Sequence, residues 1–324
     1  MSRPTVLRVP PLSKQLHDDL GERYDVLDLP DAGGEDRAAF LAEHGADVVA
    51  IACTNTGPVD ADLISALPRL GVIVNQGVGY DNIDIPLCLE RGILVSHTPG
   101  VLDDAVAETA LGLLVATRRR MVEADRFVRA GRWRAGAFPL TGQVAGSTVG
   151  ILGLGRIGRR LAQILDAMGC TVVYHSRHEV PGTPYRYAAS PQDLAAEVDN
   201  LVVIVPGGPG TAALVDRAVL DALGPDGVLV NVARGSVVDE DALVAALREG
   251  RLGAAGLDVY ATEPVVPEAL TSLDQVVLLP HVGSGTEVTR TAMRELTLEN
   301  LALWLESGRL RTPVPEMATP EAMA

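Results

Sequence analysis

The sequence predicts an α/β chain of two domains, each built on a parallel sheet, and three observations lead there. At 324 residues the chain exceeds what one small core organises, and ordinary domains of about 100–200 residues make two the natural number. The hydrophobic fraction is 47% but only 3% is aromatic, so the apolar mass is Ala, Val, Leu and Ile, the residues that fill buried parallel strands and the helices over them. Short apolar runs alternate with Ala- and Leu-rich stretches of helical spacing, the pattern of right-handed strand–helix–strand crossovers.

In order, strands are predicted over 5–9, 48–52, 72–75 and 94–96, each a short apolar run closed by turn residues. A helix follows over 105–120, where Ala and Leu recur at helical spacing. Strand 148–152 then leads into helix 157–168 and strand 171–175. Helix 193–196, strand 200–205, strand 228–232, helix 240–249 and strand 276–279 complete the reading. The stretch 131–146 and the Pro-containing tail Thr312–Ala324 read as loose.

The formal charge of −15 would repel a phosphate backbone, which excludes nucleic acid as a partner and favours solubility. The start has no apolar run of signal-peptide length, and no segment approaches the roughly 18 apolar residues of a membrane span. A cytoplasmic protein without a membrane partner is therefore expected. Cys53, Cys88 and Cys170 lack CxxC spacing, so neither a disulfide framework nor a metal site is expected.

One motif carries cofactor chemistry. The strand over 148–152 runs into Gly153-Leu-Gly155-Arg-Ile-Gly158, a helix follows, and a second strand follows the helix. That is the unit in which backbone N–H groups and a helix N-terminus hold a dinucleotide pyrophosphate. Gly153 is expected to permit the tight turn, Gly155 the approach of phosphate and Gly158 the packing of helix on strand. Where an NAD enzyme places Asp or Glu to accept from the ribose 2′-OH, this chain has Ser176-Arg177-His178. Hydroxyl and guanidinium suit a 2′-phosphate, so NADPH is expected in preference to NADH, which stays usable. The alternative is that Arg177 is only a solvated surface residue.

Three polar residues stand at strand ends or in glycine-rich loops: Arg234 in Asn231-Val-Ala-Arg-Gly-Ser, Glu263 in Asp258-Val-Tyr-Ala-Thr-Glu-Pro, and His281 in Pro280-His-Val-Gly-Ser. Keto-acid reduction needs a carboxylate holder, a proton donor, and a group that keeps the donor protonated. Arg, His and Glu supply those functions in that order.

With Gly77-Val-Gly-Tyr-Asp-Asn-Ile-Asp84 and Gly256-Leu-Asp-Val259, these motifs lie in the order of the D-isomer-specific 2-hydroxyacid dehydrogenases, and nearly the whole chain resembles that family, closely its glyoxylate/hydroxypyruvate reductase branch. The resemblance implies two Rossmann/flavodoxin-like doubly wound domains with an active-site cleft between them. The substrate domain would be residues 1–102 plus 287–324, and the dinucleotide-binding domain 103–286. It implies that Val78 and Gly79 offer N–H groups to the substrate carboxylate, that Arg234 binds carboxylate and carbonyl, and that Ser284 also binds substrate. His281 would give its proton to the carbonyl oxygen, paired with Glu263. Gly155, Arg156 and Ile157 would cradle the pyrophosphate, Val205, Pro206 and Thr211 would line the adenosine side, and Val232 and Asp258 would lie near the nicotinamide. A homodimer formed along the helix begun near Asp104 is implied, with a pocket wall near Thr54 and from the partner subunit's Trp133 or the partner subunit's Phe138. Substrates would be glyoxylate, hydroxypyruvate and aryl pyruvates, reduced to D-2-hydroxy acids. A second reading, a cofactor-sensing corepressor-like binding protein of the same fold, keeps the same three residues but would turn nothing over.

Overall fold

The computed structural model describes residues 3–30, 35–57 and 59–318. Two compact units emerge, one running to Leu102 and resuming at Thr286, the other Asp103–Gly285.

The first unit holds five strands: β1 Thr5–Arg8, β2 Asp25–Asp28, β3 Val48–Thr54, β4 Val72–Gln76 and β5 Leu94–Ser96. All pair in parallel in the order β2-β1-β3-β4-β5. Successive side chains on a strand point to opposite faces, and both faces here are covered. Leu7, Ile51 and Ile73 pack one way with Leu63, Ile64, Val314 and Met317. Val6, Ala50 and Val72 pack the other way with Leu16, Leu20, Leu301 and Leu310.

The second unit holds β6 Thr148–Leu152, β7 Thr171–His175, β8 Arg186–Tyr187, β9 Asn200–Val203, β10 Val228–Asn231, β11 Ala254–Leu257 and β12 Val276–Leu278. They too are parallel, in the order β12-β11-β10-β9-β6-β7-β8, so strand order reverses where β6 meets β9. Open sheets bind ligands outside the carboxyl ends of their strands at such a reversal. Helices over the sheet begin with side-chain caps, Ser190, Asp216 and Asp239 each accepting from the first turn. Helix Arg156–Ala167 begins at Gly155 with no side-chain cap, which leaves its first N–H groups for another acceptor.

Every strand in the sequence reading is present, within two residues at either end. β2, β8 and β11 are additional. The helix read over 105–120 is Asp103–Arg118, and Arg120, with φ 47°, starts the separate helix Met121–Arg129. The 131–146 stretch holds one short 3-10 turn, Arg132–Arg134. The tail needs correction. Val314 and Met317 are buried in the first unit's core and Pro315–Met317 is a 3-10 turn, so 312–318 is packed rather than loose. The remainder of that tail, 319–324, lies outside the described residues. Among the described residues no helix is long and apolar enough to cross a membrane, and no group of three or more His, Cys, Asp or Glu is arranged to hold a metal ion.

Candidate active site

The residues singled out in the second unit share one edge of its sheet. Gly153 follows β6, Ser176 follows β7, Val205 and Pro206 follow β9, Val232 and Arg234 follow β10, Asp258 follows β11, and His281 follows β12. These are all carboxyl ends of parallel strands.

At β6 the backbone shape depends on missing side chains. Gly153 has φ +107°, and a Cβ there would meet the Ile204 carbonyl oxygen at 2.5 Å. A Cβ on Gly158 would collide with the Gly153 carbonyl oxygen and press on Ile151 of β6. Above Gly155 nothing lies within 4 Å, so the space beside the uncapped helix start is open. The three glycines thus do three different things: turn, clearance and packing. Arg156 is drawn to Asp103 at 3.1 Å, while Ile157 is half-buried.

The end of β7 is tied to the same loop. Leu154 N–H donates to Ser176 Oγ at 3.0 Å, so the serine hydroxyl keeps its own proton for another acceptor. Tyr187 donates to the Ser176 carbonyl at 3.2 Å and stacks on His175. Arg177 is exposed. Past β9, Thr211 Oγ1 reaches the Pro206 carbonyl at 2.7 Å and closes the 206–211 loop, with Val205 half-buried at its base.

His281 Nδ1 meets Glu263 Oε2 at 2.6 Å, and the side chains are 29% and 24% exposed. The other carboxylate oxygen of Glu263 accepts from Tyr260 N–H at 3.2 Å, which fixes the group at both ends. Burial alone would raise the Glu263 carboxyl, but the hydrogen bond and charge of His281, the Tyr260 N–H and the charge of Arg234 together hold it below its ordinary value. Glu263 is therefore ionised opposite the imidazole. Arg234 Nη1 donates to the Ala233 carbonyl at 2.8 Å.

His281 sits at φ +53°, a conformation uncommon for a side-chain-bearing residue. Asp258 holds it there. The Asp258 carbonyl accepts from His281 N–H at 2.8 Å, and its carboxylate accepts from Val282 and Gly283 N–H at 2.7 and 2.8 Å. Burial pushes the Asp258 carboxyl up from its ordinary value, and those two N–H groups offset part of the rise.

In the first unit the loop after β4 presents Val78 and Gly79, both half-buried. Thr54, at the end of β3, pairs its hydroxyl with Thr56 at 3.0 Å.

Comparisons with known proteins give the chain its family. Residues 111–283 match the family described as D-isomer specific 2-hydroxyacid dehydrogenase, NAD binding domain. Over 309 residues the chain is 45% identical to hydroxyphenylpyruvate reductase of Plectranthus scutellarioides, covering 95% of this chain and 98% of that protein. It is equally similar, with the same coverage, to glyoxylate/hydroxypyruvate reductase A of Arabidopsis thaliana. A crystal structure of the NADPH-dependent glyoxylate/hydroxypyruvate reductase of Sinorhizobium meliloti, in complex with NADP and malonate, superposes with a TM-score of 0.91 at 44% identity, covering 97% of this chain and 98% of that one. The chain belongs to the D-isomer-specific 2-hydroxyacid dehydrogenase family. Within it, the chain falls in the glyoxylate/hydroxypyruvate reductase branch, and it is an NAD(P)-dependent enzyme.

Three residues of this dehydrogenase help to shape the site without having been singled out for that work. Asn231, at the end of β10, accepts from Ala233 N–H at 3.0 Å and donates to the Arg234 carbonyl at 2.9 Å, bracing the arginine loop. Tyr260 donates to the Leu279 carbonyl at 2.8 Å and so ties the Glu263 turn to the chain just before His281. Asp258 is expected from the family likeness beside the nicotinamide, and the structure adds its hold on the His281 loop. A buried Asn or Asp as the last residue of an apolar strand, or the first after it, is the signal that marks Asn231 and Asp258. Ser284 is half-buried one residue beyond that hold.

Proposed function

We propose that this dehydrogenase reduces small 2-keto acids, glyoxylate and hydroxypyruvate first and aryl pyruvates next, to D-2-hydroxy acids with NADPH. The observation that carries the reading is the His281–Glu263 contact at 2.6 Å, on the same strand edge as Arg234 and the glycine loop. The loop fits a dinucleotide, because Gly155 leaves open space beside the uncapped helix start. When bound, the nicotinamide supplies the hydride.

The chain's own residues do the rest. Gly155, Arg156 and Ile157 hold the pyrophosphate, Val205, Pro206 and Thr211 flank the adenosine side, and Val232 and Asp258 flank the nicotinamide. Glu263 accepts the hydrogen bond from the Nδ1–H of His281, so Nε2 is the nitrogen that protonates the carbonyl oxygen. Arg234 holds the carboxylate with a planar pair of donors, joined by the Val78 and Gly79 N–H groups and by Ser284. Ser176, with its proton free for an acceptor, and exposed Arg177 take the 2′-phosphate, and no carboxylate stands at the end of β7 to repel it. The relative from Sinorhizobium meliloti is described as NADPH-dependent, which supports this choice.

The protein works as a cytoplasmic homodimer in this reading. Buried, unpaired Cys53, Cys88 and Cys170 suit a reducing compartment. The long helix Asp103–Arg118 spends much of its apolar surface inside its own unit, whereas Met121, Val128, Trp133 and Leu140 just beyond it are exposed, so the second copy would sit there. Phe138 packs edge-on against Phe127 of its own chain, at 5.4 Å between ring centres.

The test is NADPH and NADH absorbance with a panel of glyoxylate, hydroxypyruvate and hydroxyphenylpyruvate. Turnover with the small acids and a higher kcat/KM for NADPH is expected. No turnover with any acid would end the substrate assignment, and NADH equal to or better than NADPH would end the cofactor assignment alone.

A further inference from the structure

We propose that Asn75 and His97 are positioning residues that aim the Val78 and Gly79 N–H groups at the substrate carboxylate. This rests on the reading of that loop given above. In a trans peptide the C=O of one residue and the N–H of the next point in opposite directions. Among the described residues the cis bonds precede Pro11 and Pro264, so the 77–78 and 78–79 peptides are trans. Fixing the Gly77 carbonyl therefore aims the Val78 N–H, and fixing the Val78 carbonyl aims the Gly79 N–H.

Both carbonyls are held from behind. Asn75 is fully buried, and its Nδ2 donates to the Gly77 carbonyl at 3.2 Å and to the Gly79 carbonyl at 2.9 Å. Thr98 N–H adds a second donor to the Gly77 carbonyl at 2.9 Å. The Asn75 backbone carbonyl accepts from Gly77 N–H at 3.0 Å, and the Cys53 thiol faces Asn75 Oδ1 at 3.9 Å, which leaves the NH2 group for the loop. His97 Nδ1 lies 3.1 Å from the Val78 carbonyl, which only accepts, so that nitrogen carries the proton. His97 is itself anchored, its N–H donating to the Thr312 carbonyl at 3.1 Å and its carbonyl accepting from Thr312 Oγ1 at 2.6 Å. The Val78 and Gly79 N–H groups have no acceptor among the described residues. Three successive carbonyls are thus tied back, and two successive N–H groups are left facing away from the brace. Adjacent N–H groups of this kind make an anion-binding concavity.

Each residue governs one N–H. Asn75→Asp puts carboxylate oxygen against the Gly77 and Gly79 carbonyl oxygens, and the repulsion turns the 77–78 peptide against its one remaining tie, from Thr98 N–H. His97→Ala removes the donor that holds the 78–79 peptide, and His97→Asn restores one. A hydrogen bond to a charged group is worth enough to change affinity by about tenfold or more, so each weakening variant should raise the dissociation constant for a bound carboxylate about tenfold.

The experiment titrates oxalate, an unreactive carboxylate shaped like the substrate, into the full chain saturated with NADP+, following backbone amides by NMR. In the parent protein the Val78 and Gly79 amide signals should move as oxalate binds. In Asn75→Asp and His97→Ala the oxalate dissociation constant and the KM for glyoxylate should both rise about tenfold, with kcat at saturation and NADPH affinity little changed. His97→Asn should recover most of the parent affinity. Parent signals that do not move would overturn the loop reading and this inference with it. Parent signals that move, with unchanged oxalate affinity in the variants, would overturn the brace and leave the loop reading standing. Loss of NADPH affinity alongside oxalate affinity would also overturn the brace, as general damage. If Asn75→Asp does not fold, His97→Ala decides by the same outcomes.

Discussion

Two places along one strand edge of the second unit, after β6 and after β12, reach unusual backbone shapes by opposite means. At β6 the shape is made by leaving side chains out: Gly153 turns at φ +107°, and Gly158 lies where a Cβ would strike the Gly153 carbonyl. At β12 a full side chain, His281, is kept at φ +53° by partners, with Asp258 holding three successive N–H groups. Shape set by omission is a property of residue type, so any replacement meets a wall. Shape set by partners leaves room for chemistry, because the held residue is free to be a histidine.

The largest effect that follows is at the held end. His281→Ala or His281→Gln should lower kcat by about 10²–10⁴ while NADPH affinity is kept, since general acid catalysis is worth that much and the residue serves proton transfer. Stopped-flow reduction and fluorescence titration of NADPH check the two halves, and a near-normal kcat would remove His281 from the mechanism.

Next come the glycines, where the contrast becomes sharp. Gly158→Ala should destabilise the protein by about 1–3 kcal/mol, measured by urea unfolding, because backbone must shift to admit the methyl group. Gly155→Ala, with nothing within 4 Å of the added atom, should leave unfolding nearly unchanged and weaken NADPH binding instead. Equal unfolding midpoints for the two variants would erase the distinction between packing and clearance.

A smaller effect is expected at the end of β7. Arg177→Ala should weaken NADPH relative to NADH by about tenfold, the low end for a charge-assisted contact at an exposed site. A parallel loss for both cofactors would show that Arg177 does not read the 2′-phosphate.

Glu263→Gln is the mildest change. It keeps the shape but weakens the acceptor that holds His281 Nδ1, so kcat should fall by a smaller factor than in His281→Gln, read in the same stopped-flow assay. The stability sign is fixed by the direction of the Glu263 shift. Its folded value lies below its ordinary 4.5, so the stabilisation is present above that pH and disappears as the pH falls through the folded value. Melting curves of parent and Glu263→Gln should therefore converge below about pH 4.5 and differ above it. Asp258 works in the other direction, since its raised value means that acid relieves the burden of burying its charge.

The same contrast explains what could be read from sequence. Glycine spacing and apolar strands are statements about residue type, so the loop after β6, the strand ends and the Arg234, Glu263 and His281 set were legible. The missed strands lack that signature. β2 and β8 are edge strands with exposed or half-exposed residues, and β8 has only Arg186 and Tyr187. β11 reads Ala-Ala-Gly-Leu because a helix lies close over it, and a Cβ on Gly256 would meet Thr117 Oγ1 at 2.7 Å. Proline-bearing 312–318 looked loose by composition, yet Val314 and Met317 fill the first unit's core. The braces of Asn75, Asn231 and Asp258 depend on which carbonyl or N–H comes within reach, and that is decided by tertiary structure rather than by spacing.

The division of the first unit between both ends of the chain sets an order of events during synthesis. Domains form as units while the chain emerges from its amino end. The first five strands are made early, but one face of their sheet waits for Leu301 and Leu310 and the other for Val314 and Met317. Gly71 even leaves space that Trp304 fills. Asp103–Gly285, by contrast, is complete before helix Glu287–Ser307 is made. A nascent chain of this protein therefore carries a finished second unit while both faces of the first sheet are only partly covered, and residues 286–318 act as the closing piece of a structure begun at the other end.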